Sequence, residues 1–147
     1  MTFAMAAKFY AVLDTNVLVS GMFTGNASST TRQILDLTLG GTIVPLISKD
    51  IINEYSEVLY RDKFPFKPED VGFVIDAFKS IGMEPGRTTA EDVDFPDPKD
   101  VVFYEVALSK EGSFLVTGNT KHFPKEPIVV TPAQMLEIIH NSHKSEE

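Results

Sequence analysis

Residues 9–21 read FYAVLDTNVLVSG, and this stretch decides the fold. The run from Phe9 to Val19 is rich in β-branched and aromatic residues, which predicts a buried strand. Asp14, Thr15 and Asn16 interrupt it where continued burial would be expected. A carboxylate at the carboxyl end of a strand can shape a turn or face a ligand. The stretch alone leaves both interpretations open.

Helical and extended patterns alternate along the rest of the chain. They predict helices at 28–39, 48–60, 69–82 and about 98–110, strands at 42–47, 113–118 and 128–131, and a last helix opening at 131. Such alternation predicts an α/β fold with a mostly parallel sheet covered on both faces, whose ligand site lies beyond the carboxyl ends of the strands. We expect one domain over 1–140 and a flexible tail at 141–147.

The composition of the 147 residues excludes several classes of protein. A net charge of −8 argues against broad adhesion to nucleic acid or anionic membranes, although an enzyme could still meet phosphate through a bound cation. Without cysteine, any metal must have oxygen or imidazole ligands. The start lacks the features of a signal peptide, and no apolar run approaches about 18 residues. We therefore expect a cytoplasmic protein that does not enter a membrane.

Glu54 stands on or beside an apolar helical stripe formed by Ile51, Tyr55 and Val58. A charge on an inward stripe is costly unless it is paired or neutralised, and the sequence offers no obvious basic partner on that face. The alternative is that Glu54 lies at the edge of the stripe and reaches water.

The segment before the fourth predicted helix carries two more carboxylates with different local explanations. Asp97 precedes Pro98 and fits a helix N-cap, which needs no functional reason. Asp100 aligns with Phe103 and Ala107 at helical spacing, so it projects toward the core-facing side, although its first-turn position also suits the helix dipole. Asp100 is therefore the stronger candidate for a site.

A later strand again ends in short polar residues, Thr117, Gly118 and Asn119. Strand ends and inward helix faces thus supply four candidate groups: Asp14, Glu54, Asp100 and Asn119. If these converge, the three carboxylates repel one another unless a cation is shared among them. Mg²⁺ or Mn²⁺ suits a few carboxylates plus water.

Three segments in order resemble the PIN-domain family of metal-dependent ribonucleases, especially the toxins of bacterial and archaeal toxin–antitoxin pairs. They are AVLDTNVLVSG, ISKDIINEYSEVL and DPKDVVFYEVALSKEGSFLVTGNTKHF. The resemblance implies a three-layer α/β/α sandwich around a parallel sheet, with an acidic pocket for one or two divalent ions. It also implies that Mg²⁺ or Mn²⁺ activates water for attack on an RNA phosphodiester bond. The implied partners are an RNA substrate, a cognate antitoxin protein and a second copy of the chain in a homodimer.

Carried onto this sequence, the resemblance assigns the three catalytic, metal-binding acids to Asp14, Glu54 and Asp100. The fourth metal-binding position, often Asp in the family, is Asn119, so binding of a second ion is in question. The residues expected to hold ligands and waters or to position the substrate are Thr15, Asn16, Asp97 and Thr117.

Two rival functions stay open. A haloacid-dehalogenase-like phosphatase also begins with a strand ending in Asp, but its second Asp would fall on Asn16. A non-catalytic PIN-like domain that binds RNA or a protein partner fits the amide at Asn119 and the net negative charge. The histidines are assigned to no metal, and the Phe and Tyr residues are assigned to the core and not to base stacking.

Overall fold

The computed structural model describes residues 8–91 and 93–145, with side chains described up to residue 142. Within these ranges the chain forms four strands and six α-helices. The strands are β1 (Phe9–Leu13), β2 (Ile43–Pro45), β3 (Phe114–Val116) and β4 (Val129–Val130); the helices are α1 (Thr15–Phe23), α2 (Thr30–Leu39), α3 (Lys49–Leu59), α4 (Pro68–Ile81), α5 (Val101–Leu108) and α6 (Pro132–Ser145). Short 3₁₀ turns lie at Pro98–Asp100 and Thr120–His122.

The strands form one parallel sheet in the order β2-β1-β3-β4. This confirms the predicted α/β fold with a parallel sheet. In the pairing of the two central strands, Val12 lies opposite Leu115 and Leu13 opposite Val116. The residues that follow both strands therefore meet at one edge of the sheet, which is where ligands bind in folds of this class.

The first strand ends at Leu13, so the prediction of strand structure through Val19 was wrong. Residues 15–23 instead form α1, whose Val17 and Leu18 are buried. Their β-branched and aliphatic side chains suit a buried helix face as well as a strand, and tertiary burial decides between them. The turn at Asp14 is what separates the two elements.

Two groups of helices pack on the sheet, as a parallel sheet requires. In one group the buried Tyr55 of α3 contacts the rings of Phe78 on α4 and Phe103 on α5, with centroids 5.9 and 6.3 Å away. In the other group α2 packs against α1 and α6. The Tyr55 hydroxyl also donates a hydrogen bond of 2.6 Å to the Leu13 carbonyl, which ties α3 to the end of β1.

Residue 82 must be glycine for α4 to rejoin the sheet. A Cβ there would meet the Phe78 carbonyl and lie 2.9 Å from the Pro45 carbonyl. The following residue, Met83, forms a parallel bridge with Leu46 and so continues the sheet beyond β2. The close approach of backbone atoms at Gly82 therefore lets the chain rejoin the sheet beside β2.

The C-terminal helix α6 extends to Ser145, and residues 146–147 lie outside the described residues. Flexibility of 141–147 and the domain limit at 140 stay predictions. No helix in the described part of the chain is long and apolar enough to span a membrane.

Candidate active site

Asp14 lies between β1 and α1 at the sheet edge, with 6% of its surface exposed. It occupies the N-cap position of α1, but its side chain makes no capping hydrogen bond within the described residues. Its Oδ2 instead accepts a bond of 2.7 Å from the Thr117 hydroxyl. Burial raises the Asp14 pKa, while the bonds from Thr117 and the Thr15 amide oppose that rise. The backbone thus shapes the turn and leaves the carboxylate to face the sheet edge.

Asp100 ends the 3₁₀ turn before α5, and its side chain is 15% exposed. Burial raises its pKa to about 6, and the negative charges of Asp14, Asp97 and Glu54 add to that rise. Its buried Oδ2 has no hydrogen-bond partner in the described part of the chain. We call Asp14, Glu54, Asp97 and Asp100 the acidic cluster, because the charges of the first three all act on Asp100.

Glu54 is half-buried on α3, directly before Tyr55. Glu54 was predicted to lie either on an inward-facing stripe or at the edge of that stripe in contact with water. Its partial exposure is intermediate between these two placements. The Tyr55 hydroxyl is bonded to Leu13, the residue before Asp14. Burial and the charge of Asp14 raise the Tyr55 pKa. This hydrogen bond therefore ties the part of α3 that carries Glu54 to the end of β1.

Asn119 lies at the edge of the acidic cluster and makes one hydrogen bond through its backbone and one through its side chain. Its backbone N–H donates to Thr117 Oγ1 at 3.0 Å, the same oxygen that donates to Asp14. Its side-chain Nδ2 lies 3.0 Å from His122 Nε2. His122 Nδ1 in turn lies 3.5 Å from Asp100 Oδ2. An amide and an imidazole therefore border the acidic cluster.

The other predicted residues have different surroundings. Thr15 is buried, and its Oγ1 has no hydrogen-bond partner among the described residues. Asn16 is exposed. Asp97 caps the 3₁₀ turn by accepting a bond of 3.0 Å from the Lys99 amide, as its sequence context predicted, and its charge still reaches Asp100.

A family model described as PIN domain matches residues 10–121. The match covers most of the chain and includes every residue of the acidic cluster together with Asn119. The chain belongs to the PIN-domain family. PIN domains are generally nucleases, and those nucleases typically use divalent metals. No curated protein and no solved structure matches the chain in the corresponding comparisons.

The donor set of this PIN domain fits a hard divalent cation. Asp100 Oδ2 is a buried acceptor without a hydrogen bond in the described residues, and neighbouring carboxylates repel it. No three Asp, Glu or His side chains there form a ready-made coordination group. Mg²⁺ retains several waters and needs only one or two direct carboxylates, so a complete protein cage is not required.

Sequence analysis missed two residues of this PIN domain. His122 was assigned no role, yet it contacts both Asp100 and Asn119. His122 lies three positions after Asn119, and one 3₁₀ turn brings residues at that spacing into contact. This spacing was the sign in the sequence that could have revealed it. Glu105 was not singled out in the sequence, yet it is buried and accepts hydrogen bonds from Arg87 and Ala90.

Proposed function

We propose that this PIN domain is a divalent-metal-dependent endoribonuclease that hydrolyses RNA phosphodiester bonds. The observation that carries the proposal is the Asp100 carboxylate, which is largely buried, lacks a hydrogen bond to Oδ2 within the described residues and is repelled by Asp14, Asp97 and Glu54. A fold keeps such an arrangement when function requires it, because it costs stability without a cation.

Asp14, Glu54 and Asp100 would hold Mg²⁺ or Mn²⁺, with Asn119 as a neutral fourth ligand. The bound ion supplies a water of lowered pKa and offsets charge on the phosphate. Because an amide contributes a dipole and no charge, one ion is favoured over two.

The remaining residues orient this set. Thr117 fixes one oxygen of Asp14 through a bond of 2.7 Å. Tyr55 fixes Leu13 relative to α3 and so limits how far Glu54 can drift from Asp14. Thr15, with an unpaired buried hydroxyl among the described residues, and exposed Asn16 are suited to hold water or substrate.

The biological setting is proposed on the resemblance of the sequence to toxin ribonucleases. The chain would act in the cytoplasm as a toxin, restrained by a cognate antitoxin protein, and would form a homodimer. It would fold as one domain over 1–140 with a flexible tail.

A non-catalytic PIN domain that binds RNA or a protein is the second candidate. It is favoured by Asn119, which places an amide bonded to His122 where the family often has an acid. Under this hypothesis the acidic cluster no longer supports turnover.

The test is cleavage of a mixed pool of single-stranded RNA with Mg²⁺, Mn²⁺ or chelator, comparing the wild type with Asp14→Asn. If the protein is a metal-dependent nuclease, only the wild type cleaves the RNA, and it does so only with Mg²⁺ or Mn²⁺ present. No cleavage by either protein, with RNA or protein binding intact in both, supports the second candidate. Equal cleavage by both proteins contradicts both functions, since the activity then comes from a contaminant or another site.

A further inference from the structure

The connection between α3 and α4 alternates aromatic and basic residues, YRDKFPFK at 60–67. It carries three cations and one carboxylate in a chain whose net charge is −8. Phe64 and Phe66 stack with centroids 5.4 Å apart and planes 19° apart, and Lys63 Nζ lies 5.1 Å above the Phe64 ring. These rings were expected in the core, but both are only half-buried.

A third ring, Phe23 at the end of α1, joins this pair. Its centroid lies 6.0 Å from that of Phe66 in an edge-to-face contact, and 60% of its surface is exposed. A large exposed aromatic held in place by a second ring is costly in water and is typical of a binding surface. We call Phe23, Phe64 and Phe66, with Lys63 and Lys67, the aromatic platform.

Two helices connect the aromatic platform to the acidic cluster: residues 60–67 follow α3, which carries Glu54, and Phe23 ends α1, which follows Asp14. The Phe64 amide donates a bond of 3.1 Å to the Arg61 carbonyl, so one turn separates Phe64 from Arg61. The pKa of Arg61 is raised by its hydrogen bond to Glu57 and further by the charges of Glu57 and Glu54. On the other side, α1 starts beside Asp14 and ends at Phe23, a helix of about 13 Å.

We propose that the aromatic platform binds single-stranded RNA beside the cleavage site, with an unpaired base on Phe23 and phosphates at Lys63 and Lys67. Stacked aromatics interleaved with cations are the usual means of holding single strands without a fixed sequence. This inference rests on the proposed ribonuclease function, because it supplies the substrate path that an acidic protein otherwise lacks.

A protein partner fits this surface less well than RNA does. A groove of about 460 Å³ beside the platform is lined by Met22, Phe23 and Phe66 but also by Arg32, Lys67, Asp36 and Asp70. The Arg32–Asp36 pair, at 3.1 Å, neutralises one of these carboxylates. Protein interfaces are depleted of charged residues at their centre, whereas single-strand sites combine charge with exposed rings.

The experiment measures binding of a fluorescently labelled, mixed-sequence single-stranded RNA by anisotropy in chelator, so that no metal-dependent cleavage occurs. Phe23→Leu removes the exposed ring and should weaken binding by roughly 5- to 10-fold, since a stacked base contributes at least that much. The matched control is Phe73→Leu, because Phe73 is 65% exposed and has no ring contact among the described residues. It should leave RNA affinity unchanged.

A second variant, Lys63→Gln with Lys67→Gln, tests the cations without touching the core. If each lysine neutralises one phosphate, the slope of log affinity against log salt should fall in magnitude by about 1.4. An unchanged slope and affinity would overturn the phosphate contacts. The same RNA in duplex form should bind more weakly to the wild type, because its bases cannot reach Phe23.

Other outcomes separate the platform from the proposed function. Equal RNA affinity of wild type and Phe23→Leu overturns the platform, even if metal-dependent cleavage is observed with the wild type. Ring-dependent binding without cleavage in Mg²⁺ or Mn²⁺ supports the platform and contradicts the nuclease. If Phe23→Leu dissociates an oligomer in sedimentation and leaves RNA binding intact, the surface is a protein interface and the proposal is wrong.

Discussion

Glu105 and Asp100 lie on one continuous helical segment, yet their carboxylates have opposite surroundings. Glu105 accepts bonds of 2.6 Å from both Arg87 Nε and the Ala90 amide. The Ala90 amide and Arg87 hold its pKa below the usual range. Asp100 leaves Oδ2 without a hydrogen bond in the described residues, and burial and neighbouring carboxylates raise its pKa to about 6.

The difference separates a carboxylate that builds the fold from one that we propose binds a ligand. Glu105 fastens the 87–90 segment to α5 and needs nothing further. Asp100 costs stability as it stands, because burial and like charges both disfavour its ionised form. Substitutions at the two positions should therefore have opposite effects on stability and activity.

The largest effect is expected from Asp100→Asn. RNA cleavage should fall by more than the roughly 10- to 100-fold typical of outer-shell residues, because a direct ligand is lost. Thermal melts in chelator should show equal or higher stability, since repulsion within the acidic cluster is relieved. The control, Asp76→Asn on the exposed face of α4, should change neither cleavage nor melting. Lower stability in chelator would place Asp100 in the same class as Glu105.

Glu105→Gln should produce the opposite result. Loss of two charge-assisted hydrogen bonds should lower the free energy of unfolding by about 1–3 kcal/mol in urea titrations. The rise in melting temperature on adding Mn²⁺ should be retained. Glu57→Gln removes an exposed pair with Arg61 and serves as the control, with no measurable change expected. If the metal response disappears with Glu105→Gln, the two carboxylates are not independent.

Tyr55→Phe tests the link between α3 and β1. Leaving the buried Leu13 carbonyl without its 2.6 Å bond should cost about 1 kcal/mol and also weaken the metal-dependent rise in melting temperature. Tyr104→Phe is the matched control, because Tyr104 is buried and its hydroxyl has no hydrogen bond among the described residues. Equal behaviour of the two variants would show that this bond does not orient the site.

The contribution of Glu105 to stability should depend on pH. The effect is smaller than those above, and its direction is set by the lowered pKa of Glu105. Its folded pKa lies below the ordinary glutamate value of 4.5, so its contribution to stability is present above pH 4.5 and is lost as pH falls toward the folded pKa. The difference in unfolding free energy between wild type and Glu105→Gln should therefore shrink between pH 5 and pH 3. A difference that stays constant in urea titrations over that range would mean that packing and not charge is lost.

The smallest effect is expected from Asn119→Asp. An added carboxylate at residue 119 should lower the melting temperature slightly in chelator and tighten Mn²⁺ binding in calorimetry, because it adds negative charge at the acidic cluster. Asn141→Asp, on the exposed part of α6, adds the same charge elsewhere and should not alter metal affinity. Unchanged affinity for Asn119→Asp would mean that residue 119 does not reach the ion.

The sequence predicted the order of the strands and of every α-helix except α1, because apolar periodicity and turn residues mark those elements. It misplaced the end of β1, because the residues at 17–19 favour strand while burial on α1 decides the outcome. It missed Glu105 because Arg87 and Ala90 lie in a segment without periodicity. Contacts made by such segments cannot be read from local pattern.

The candidate site was predictable to the extent that polar residues follow β1 and β3. Register alone brings Asp14 beside Thr117, since Leu13 lies opposite Val116. The direct metal ligands stay a prediction. His122 could not be found by pattern, because its contact with Asp100 depends on how a 3₁₀ turn is oriented against another element.

The bond between Thr117 and Asp14 joins residues 103 positions apart, and this separation sets an order on biosynthesis. β1 leaves the ribosome first, but the strand that completes its carboxyl edge follows only after another ~5–20 s of translation at ordinary rates of about 5–20 residues per second. Until then Asp14 lacks its hydroxyl partner. The bond between Asp14 and Thr117 therefore cannot form in a nascent chain before residue 117 has been translated.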